Sequence, residues 1–232
     1  MSRYRAIVFD LFGTVVHFRG RPDPAVGWLQ TALAATCPGV EFSAFRVALG
    51  AVSAEIHAAR GAECIEVSSR ERFRRALTRA GGDEAMAEAL SLAHMSYLAD
   101  QTVLPEEHPA VLAALGARHR LGLVSNFDDG PTALQVLARH GVAEHFAATL
   151  ISADFGRRKP HPAIFNAALA ALDCAPAQAL YVGDTHAEDV VGALAAGMDV
   201  AWLAPPGAPA RDPCPTYRVA TLAELATLAA LA

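Results

Sequence analysis

Carboxylate, hydroxyl and amide side chains follow short apolar runs at several places in this chain of 232 residues. Asp10 interrupts the run IVFDLFGTVV, and Asp184 follows the run YVG. Ser125 and Asn126 follow the run LGLV in the same way. A single aspartate in such a position is more often a helix cap or a turn residue than a catalyst. Because four polar residues share this position, we interpret them as parts of one site.

Two further charged residues complete the pattern. Lys159 ends the basic run RRK, and Asp189 follows Asp184 by five residues. Such a set suits a carboxylate nucleophile, since Asp10 would form a covalent ester or acyl phosphate that water then hydrolyses. A phosphoryl substrate would need cations beside the anionic nucleophile. Lys159 supplies one, and Mg²⁺ held by Asp10 and Asp184 would supply another, because this ion prefers oxygen ligands.

Hydroxyl and amide groups are expected to bind the substrate. Ser125 and nearby backbone N–H groups would hold the remaining phosphoryl oxygens. We group Asn126 and Lys159 with Ser125 as substrate-binding residues. Thr14, which follows a turn glycine, would hydrogen-bond Asp10 and orient it.

The elements that position these residues can be inferred from the hydrophobic pattern. Short apolar runs bounded by turn residues are typical of buried parallel strands, and helix-like stretches lie between most of them. This alternation predicts an α/β fold with a parallel sheet, in which ligands bind at the carboxyl ends of the strands. The predicted strands are residues 6–9, 121–125, 148–152, 180–182 and 200–203, and the predicted helices are residues 109–119, 131–140, 162–172 and 187–196.

Residues 16–100 show no convincing strand pattern. Pro-Gly and Gly-Gly pairs divide them into amphipathic stretches, and the segment is too long for an ordinary crossover between strands. We predict an inserted helical cap domain at residues 16–100, with residues 1–15 and 101–232 forming the catalytic core. The predicted cap helices are residues 24–36, 43–60, 69–80 and 83–99, followed later by a proline-rich loop at 205–215 and a short helix at 221–232.

Composition and charge exclude several functions. The net charge of −5 gives no basic surface for nucleic acid or an anionic membrane, and no apolar run approaches the roughly 18 residues of a membrane span. The four cysteines are far apart, which is typical of reduced thiols rather than of a zinc site or disulfides. We therefore expect a cytoplasmic protein without a targeting segment. Its partner would be a small anionic molecule, and the oligomeric state is left open.

Four motifs carry a family resemblance: FDLFGT at residues 9–14, LVSN at 123–126, RRKPHPAIF at 157–165 and VGDTHAED at 182–189. With them the chain resembles the haloacid dehalogenase superfamily of aspartate-nucleophile hydrolases. The motifs occur in the order of the family and span almost the whole predicted core. The resemblance implies a Rossmann-like core and a helical cap of the subgroup that contains small-molecule phosphatases and dehalogenases.

The resemblance also assigns a role to each chemically active motif residue. Together these roles imply a Mg²⁺-dependent phosphatase that acts on a small phosphorylated metabolite through an aspartyl phosphate. The implied roles are nucleophile for Asp10, anion binding for Ser125, charge neutralisation for Lys159 and metal binding for Asp184, with Asp189 in support of the metal. The backbone carbonyl of Phe12 is implied as a further metal ligand.

Phe12 departs from the phosphatase pattern. Most phosphatases of the superfamily place there a second aspartate, which protonates the leaving group and later activates water, and such help is typically worth about 10²–10⁴-fold in rate. The 2-haloacid dehalogenases also lack that aspartate, because a halide leaves without a proton. They need no metal, however, so Gly183, Asp184 and Asp189 favour a phosphatase. A metal-independent dehalogenase and a catalytically weakened phosphate-binding regulatory protein are the alternatives.

Six further residues are candidates for two roles that the motifs do not assign, which are binding a substrate carboxylate and replacing the missing acid. A substrate carboxylate would need a cationic partner, and a histidine can replace an acid near neutral pH. Each candidate is more often an ordinary surface or packing residue. They are Arg19, Arg21 and Arg60 for the carboxylate, and His17, His57 and His186 for the acid.

Overall fold

The computed structural model describes residues 3–20, 27–205 and 207–228. The strands are β1 (Ala6–Phe9), β2 (His17–Phe18), β3 (Thr102–Val103), β4 (Arg120–Ser125), β5 (Ala148–Ile151), β6 (Ala179–Gly183), β7 (Asp199–Leu203) and β8 (Tyr217–Val219). The helices are α1 (Gly27–Thr36), α2 (Phe42–Ala59), α3 (Ser69–Arg79), α4 (Ala87–Asp100), α5 (His108–Gly116), α6 (Gly130–Arg139), α7 (Ser152–Phe155), α8 (Pro162–Ala171), α9 (Val191–Ala195) and α10 (Leu222–Leu225). Within the ranges described, none of the helices has both the length and the apolar character that crossing a membrane requires.

The central strand of the main sheet is β1. The strand order is β5–β4–β1–β6–β7–β8, and every pairing in it is parallel. Phe9 lies opposite Leu123 of β4 on one side and Val182 of β6 on the other. Because these strands run in the same direction, Asp10, Ser125 and the residues that follow β6 reach the same edge of the sheet.

Both faces of this sheet are covered, which explains the uninterrupted apolar character of β1. Ile7 and Phe9 pack into a hydrophobic cluster with residues of α5, α6 and α10. Ala6 and Val8 pack into the opposite cluster with residues of α8 and α9. The predicted Rossmann-like α/β fold is therefore confirmed.

Helices α1 to α4 lie in the chain between the short strands β2 and β3, which pair antiparallel with His17 opposite Val103. These helices share a hydrophobic cluster of their own, which includes Leu33, Phe45 and Phe73. They coincide closely with the predicted cap helices, except that residues 24–26 lie outside the described residues. The division into a cap at residues 16–100 and a core stays a prediction.

Several element boundaries differ from the sequence prediction. Strands of two or three residues are too short to show a hydrophobic period, so β2, β3 and β8 were not predicted. Contacts with other elements also decide where a helix or strand ends, and the hydrophobic pattern of the sequence does not show those contacts. The other differences are a strand that stops at Ile151 with α7 beginning at Ser152, a 3₁₀ turn at Glu84–Met86 before α4, a π-helical turn at His186–Val190 before α9, and a C-terminal helix limited to Leu222–Leu225 within the described residues.

Candidate active site

Lys159 lies at the centre of the polar cluster and is 2% exposed. Its Nζ atom donates to Asp10 Oδ1 at 2.7 Å, to Asp189 Oδ1 at 2.7 Å and to the Tyr181 hydroxyl at 2.9 Å. Burial alone would lower the pKa of Lys159, but the charges of Asp10 and Asp189 raise it above its usual value. Lys159 is thus a charged, immobile group in contact with the predicted nucleophile.

Asn126 holds the backbone of Lys159. Its Nδ2 donates to the Lys159 carbonyl at 3.0 Å, and its Oδ1 accepts from the Lys159 N–H at 2.7 Å. This two-bond bridge joins the end of β4 to the loop before α8. Asn126 therefore supports Lys159 through the backbone, and its contact with substrate stays a prediction.

Three carboxylates crowd the same point. One oxygen from each of Asp10, Asp184 and Asp189 lies within 4.8 Å of the others. Burial raises the pKa of Asp10 to about 8, and Asp189 and Asp184 add to the rise while Lys159 opposes it. Burial and the charge of Asp189 also raise the pKa of Asp184. Because one ammonium group cannot balance three carboxylates, the cluster favours a further cation.

Two glycines permit this crowding. Gly13 has φ of +89°, and a Cβ atom there would lie 2.5 Å from Asp184 Oδ2. A Cβ atom on Gly183 would lie 2.4 Å from Asp189 Oδ2. A side chain at either position would displace an acidic group, which explains why both motifs contain glycine.

Both carboxylate oxygens of Asp189 accept hydrogen bonds, and its predicted support of the metal stays a prediction. Its Oδ1 accepts from Lys159 and from the Tyr181 hydroxyl at 3.1 Å, and its Oδ2 accepts from the Thr185 N–H at 2.9 Å. The π-helical turn at His186–Val190 brings it back toward the sheet. Its geometry is that of a residue that holds Lys159.

Three buried polar atoms of the site have no hydrogen-bond partner within the described part of the chain: Thr14 Oγ1, Ser125 Oγ and Asp184 Oδ1. A buried polar group without a partner costs about 1–3 kcal/mol, so these atoms fit a polar ligand. A carboxylate oxygen is a ligand that Mg²⁺ prefers, and a hydroxyl can donate to a phosphoryl oxygen. The donor set therefore fits a magnesium ion beside an anionic substrate.

Phe12 lies in an aromatic group with Phe18 and Phe127. Its ring stacks on that of Phe18 at a centroid distance of 5.1 Å and is tilted against that of Phe127 at 4.7 Å. The three rings come from three separate segments, so the sequence pattern could not predict this contact. They give the nucleophile loop an apolar side next to Asp10.

The histidine candidates for a substitute acid have other neighbours. His186 is buried, its Nε2 lies 3.0 Å from the Pro213 carbonyl, and its ring meets that of Trp202 edge to face. The His17 ring lies 5.8 Å from that of His108, and burial lowers the pKa of His17. None of the contacts described for these two histidines joins them to Asp10.

The arginine candidates for a substrate carboxylate differ in position. Arg60 makes only long contacts, 3.5 Å to the exposed His57 and 3.8 Å to Glu66, and its buried Nε has no hydrogen-bond partner among the residues described. Arg19 is exposed, and Arg21 lies outside the described residues.

Sequence reasoning missed three residues that support the site. Tyr181 is a buried strand residue whose hydroxyl contacts Lys159, and nothing in the strand pattern distinguishes it from a core residue. Trp202 donates from Nε1 to the Asp184 carbonyl at 2.8 Å. Glu66, from the segment between α2 and α3, accepts from Ser152 at 2.5 Å and from Arg158 at 3.2 Å.

Comparison with known proteins shows the family of this chain. The family model described as haloacid dehalogenase-like hydrolase matches residues 4–197. A phosphoserine phosphatase of Thermus thermophilus is 37% identical over 161 residues, which are 67% of this chain and 63% of that protein. A pyrimidine 5'-nucleotidase of Escherichia coli is 33% identical over 126 residues, 51% of this chain and 53% of that protein. The matched part is thus less than two thirds of each relative's own length.

A solved structure extends the similarity over nearly the whole chain. The 2-haloacid dehalogenase from Pseudomonas syringae pv. Tomato DC3000 superposes with a TM-score of 0.75 and 25% identity, covering 96% of each chain. Its fold, the match over residues 4–197 and the four motifs agree with one another. This chain therefore belongs to the haloacid dehalogenase-like hydrolase family.

Proposed function

We propose that this hydrolase is a Mg²⁺-dependent phosphatase that acts on a small phosphorylated metabolite through a phosphoaspartate at Asp10. The observation that carries the proposal is the Asp184 carboxylate, which lies in the acidic cluster with Asp10 while its buried Oδ1 has no partner among the described residues. The phosphatase and nucleotidase relatives support the same substrate class.

In this proposal Asp10, Asp184 and the backbone carbonyl of Phe12 hold the ion. When bound, Mg²⁺ would supply positive charge to the phosphoryl oxygens. Asp189 is assigned to Lys159 instead, because both of its oxygens already accept hydrogen bonds.

The chain's own residues account for the covalent steps. The hydrogen bond from Lys159 fixes the Asp10 carboxylate, which attacks phosphorus and displaces the alcohol. Thr14 and Ser125 would donate their unpaired hydroxyls to the transferred group. The leaving oxygen takes its proton from water, since Phe12 cannot donate one. Hydrolysis of the acyl phosphate then releases phosphate and restores Asp10.

We further propose that α1 to α4 act as the predicted cap over this edge of the sheet. The contacts of Glu66 with Ser152 and Arg158 support that arrangement, because they join the segment after α2 to the loop that carries Lys159. The cap side would then contact the part of the substrate that is not transferred.

A 2-haloacid dehalogenase is the second candidate. The aromatic group around Phe12 favours it, because a halide needs an apolar exit and no proton. The similarity to the dehalogenase structure points in the same direction. Against it, a metal-free reaction leaves the Lys159 ammonium alone to balance the charges of Asp10, Asp184 and Asp189 among the described residues.

The test compares wild type with Asp10→Asn on 4-nitrophenyl phosphate, in Mg²⁺ and in EDTA. We expect phosphate release that needs Mg²⁺ and falls at least about 10³-fold in the variant, because no nucleophile remains. Halide release from 2-chloropropionate is measured in EDTA with the same two proteins. The proposal would be contradicted if wild type releases halide, Asp10→Asn does not, and neither buffer gives phosphatase activity. That result would favour the dehalogenase.

A further inference from the structure

One oxygen of the Asp184 carboxylate is free to bind a ligand. Its buried Oδ1 lacks a partner in the ranges described, and its Oδ2 faces the open Cα position of Gly13. The position of the Asp184 backbone is one of the factors that decide where this carboxylate lies. Whatever holds that backbone determines how well the carboxylate is placed for a ligand.

Trp202 holds it. Gly183, the last residue of β6, lies opposite Trp202 of β7, and from this position the indole reaches one residue further to the Asp184 carbonyl. The Nε1–O distance is 2.8 Å, and Trp202 is 3% exposed. An indole N–H can only donate, and a buried hydrogen bond of this length restrains the peptide group that accepts it.

The indole also contacts two other side chains. The His186 ring meets it edge to face at a centroid distance of 5.2 Å, and Nε2 of that histidine lies 3.0 Å from the Pro213 carbonyl. On another side the Arg218 guanidinium lies 5.0 Å from the centre of the Trp202 ring. The described part of the C-terminal loop is thus packed against the segment that carries Asp184.

We infer that Trp202 is a positioning residue for metal binding, and that its indole N–H aligns the Asp184 carboxylate by fixing the Asp184 carbonyl. The inference rests on the proposed metal site. Trp202 does not contact the ion. It acts as outer-shell residues do, whose loss typically lowers metal affinity about 10–100-fold.

The chain offers a matched control, because it contains two tryptophans. Trp28 Nε1 is also buried but has no hydrogen-bond partner among the residues that the structure describes. Trp28→Phe and Trp202→Phe thus remove the same chemical group, and only the second removes a hydrogen bond to Asp184.

The test is calorimetric titration with Mg²⁺ alone at pH 7.5, on wild type and both variants, with folding checked by circular dichroism. We expect Trp202→Phe to raise the Kd for Mg²⁺ at least about tenfold and Trp28→Phe to leave it unchanged. In a Trp28→Phe background, replacing the remaining tryptophan by β-(3-benzothienyl)alanine keeps the ring shape and removes only the N–H. This substitution should raise the Kd for Mg²⁺ to a similar extent. It still tests the role of the indole N–H if Trp202→Phe fails to fold.

The outcomes separate the two claims. A wild-type protein that binds no Mg²⁺ would overturn the proposed metal-dependent reaction and the inference with it. If wild type and the benzothienyl protein bind Mg²⁺ with the same Kd, the role inferred for Trp202 is wrong, while the proposed metal site stands. An equal rise for Trp28→Phe would also count against it, because the effect would then come from packing.

Discussion

The ammonium group of Lys159 has all three of its hydrogens in use, on Asp10, Asp189 and Tyr181. Its pKa is raised by the two carboxylates in spite of burial, so it stays protonated throughout the neutral range. Lys159 therefore cannot supply the proton that Phe12 fails to supply. At the scale of residues, Lys159 gives the site a fixed positive charge.

Phe12→Asp should restore an acid at this position. We expect kcat for an alkyl phosphate to rise by about 10²-fold or more, because an alkoxide leaves poorly without a proton. The gain for 4-nitrophenyl phosphate should be smaller, since its leaving group needs no proton. The melting temperature should fall, because the variant loses the ring contacts with Phe18 and Phe127. Steady-state kinetics with both substrates measure the difference.

Phe12→Asn is the control, since it has the shape of aspartate without the acid. It should share the loss of stability and show no gain in rate. If both variants accelerate alkyl phosphate hydrolysis equally, the effect comes from space at the site and not from proton transfer.

Gly13→Ala should disable the metal site. The new Cβ would lie 2.5 Å from Asp184 Oδ2 and would push that carboxylate away. We expect Mg²⁺ affinity to fall at least about tenfold, as measured by calorimetry. Gly81→Ala is the control, because Gly81 also has positive φ, +75°, but its Cβ would meet nothing within 4 Å. Both variants should lose about 1 kcal/mol of stability from backbone strain, and unchanged Mg²⁺ binding in Gly13→Ala would refute the argument.

At the scale of elements, the strands explain what the sequence predicts well. Asp10 and Asp184 each follow a buried strand and Ser125 ends one, and parallel strands bring their carboxyl ends to one edge. Tyr181 and Trp202 could not be predicted as site residues, because within a strand they have the same pattern as core residues. Their roles depend on which strands become neighbours, and alternation alone does not determine that order.

Glu66 joins two elements and is nearly buried. Its side chain is 1% exposed and accepts hydrogen bonds from Ser152 and Arg158, the second of which is 14% exposed. Glu66→Gln would leave Arg158 with Glu188, at 3.3 Å, as its carboxylate partner among the described residues, so we expect a loss of about 1–3 kcal/mol in the free energy of unfolding. Urea denaturation measures it.

Glu63→Gln is the matched control for this ion pair. Glu63 contacts Arg157 at 2.7 Å, but its side chain is 65% exposed, so the change should cost less than about 1 kcal/mol. Equal losses in the two variants would show that burial of Glu66 does not determine the strength of its contacts.

His94 of α4 gives the helical segment a pH dependence. It stacks on Trp28, and burial together with the charge of Arg72 lowers its pKa to about 3. Since the unfolded chain binds this proton below about pH 6.5 and the folded chain does not, stability falls as the pH drops from about 6.5 toward 3, by up to about 1.4 kcal/mol per unit. His94→Phe should flatten this slope in denaturation curves. A slope that persists in full would exclude His94 as its source.

At the scale of the whole molecule, the acidic cluster couples ligand binding to stability. Three carboxylates, of which those of Asp10 and Asp189 are buried, repel one another in the folded chain, and burial together with this repulsion raises the pKa of Asp10. Mg²⁺ at 100 times its Kd should add about 2.7 kcal/mol to the free energy of unfolding, which for a chain of this size raises the melting temperature by about 5–10 °C.

Differential scanning calorimetry in Mg²⁺ and in EDTA measures this shift. Asp184→Asn should abolish it, because the variant loses the carboxylate whose oxygen has no partner among the described residues. A shift of the same size in Asp184→Asn would mean that the ion binds elsewhere.

The π-helical turn at His186–Val190 also has a consequence for chain length. It contains one residue more per turn than an α-helix, where each residue advances the backbone by about 100°. A chain shortened by one residue between Asp184 and Asp189 would close this turn as an ordinary helix and aim the second acid away from Lys159. Insertions and deletions should therefore be tolerated less here than in the neighbouring loops, even where they leave every acidic residue in place.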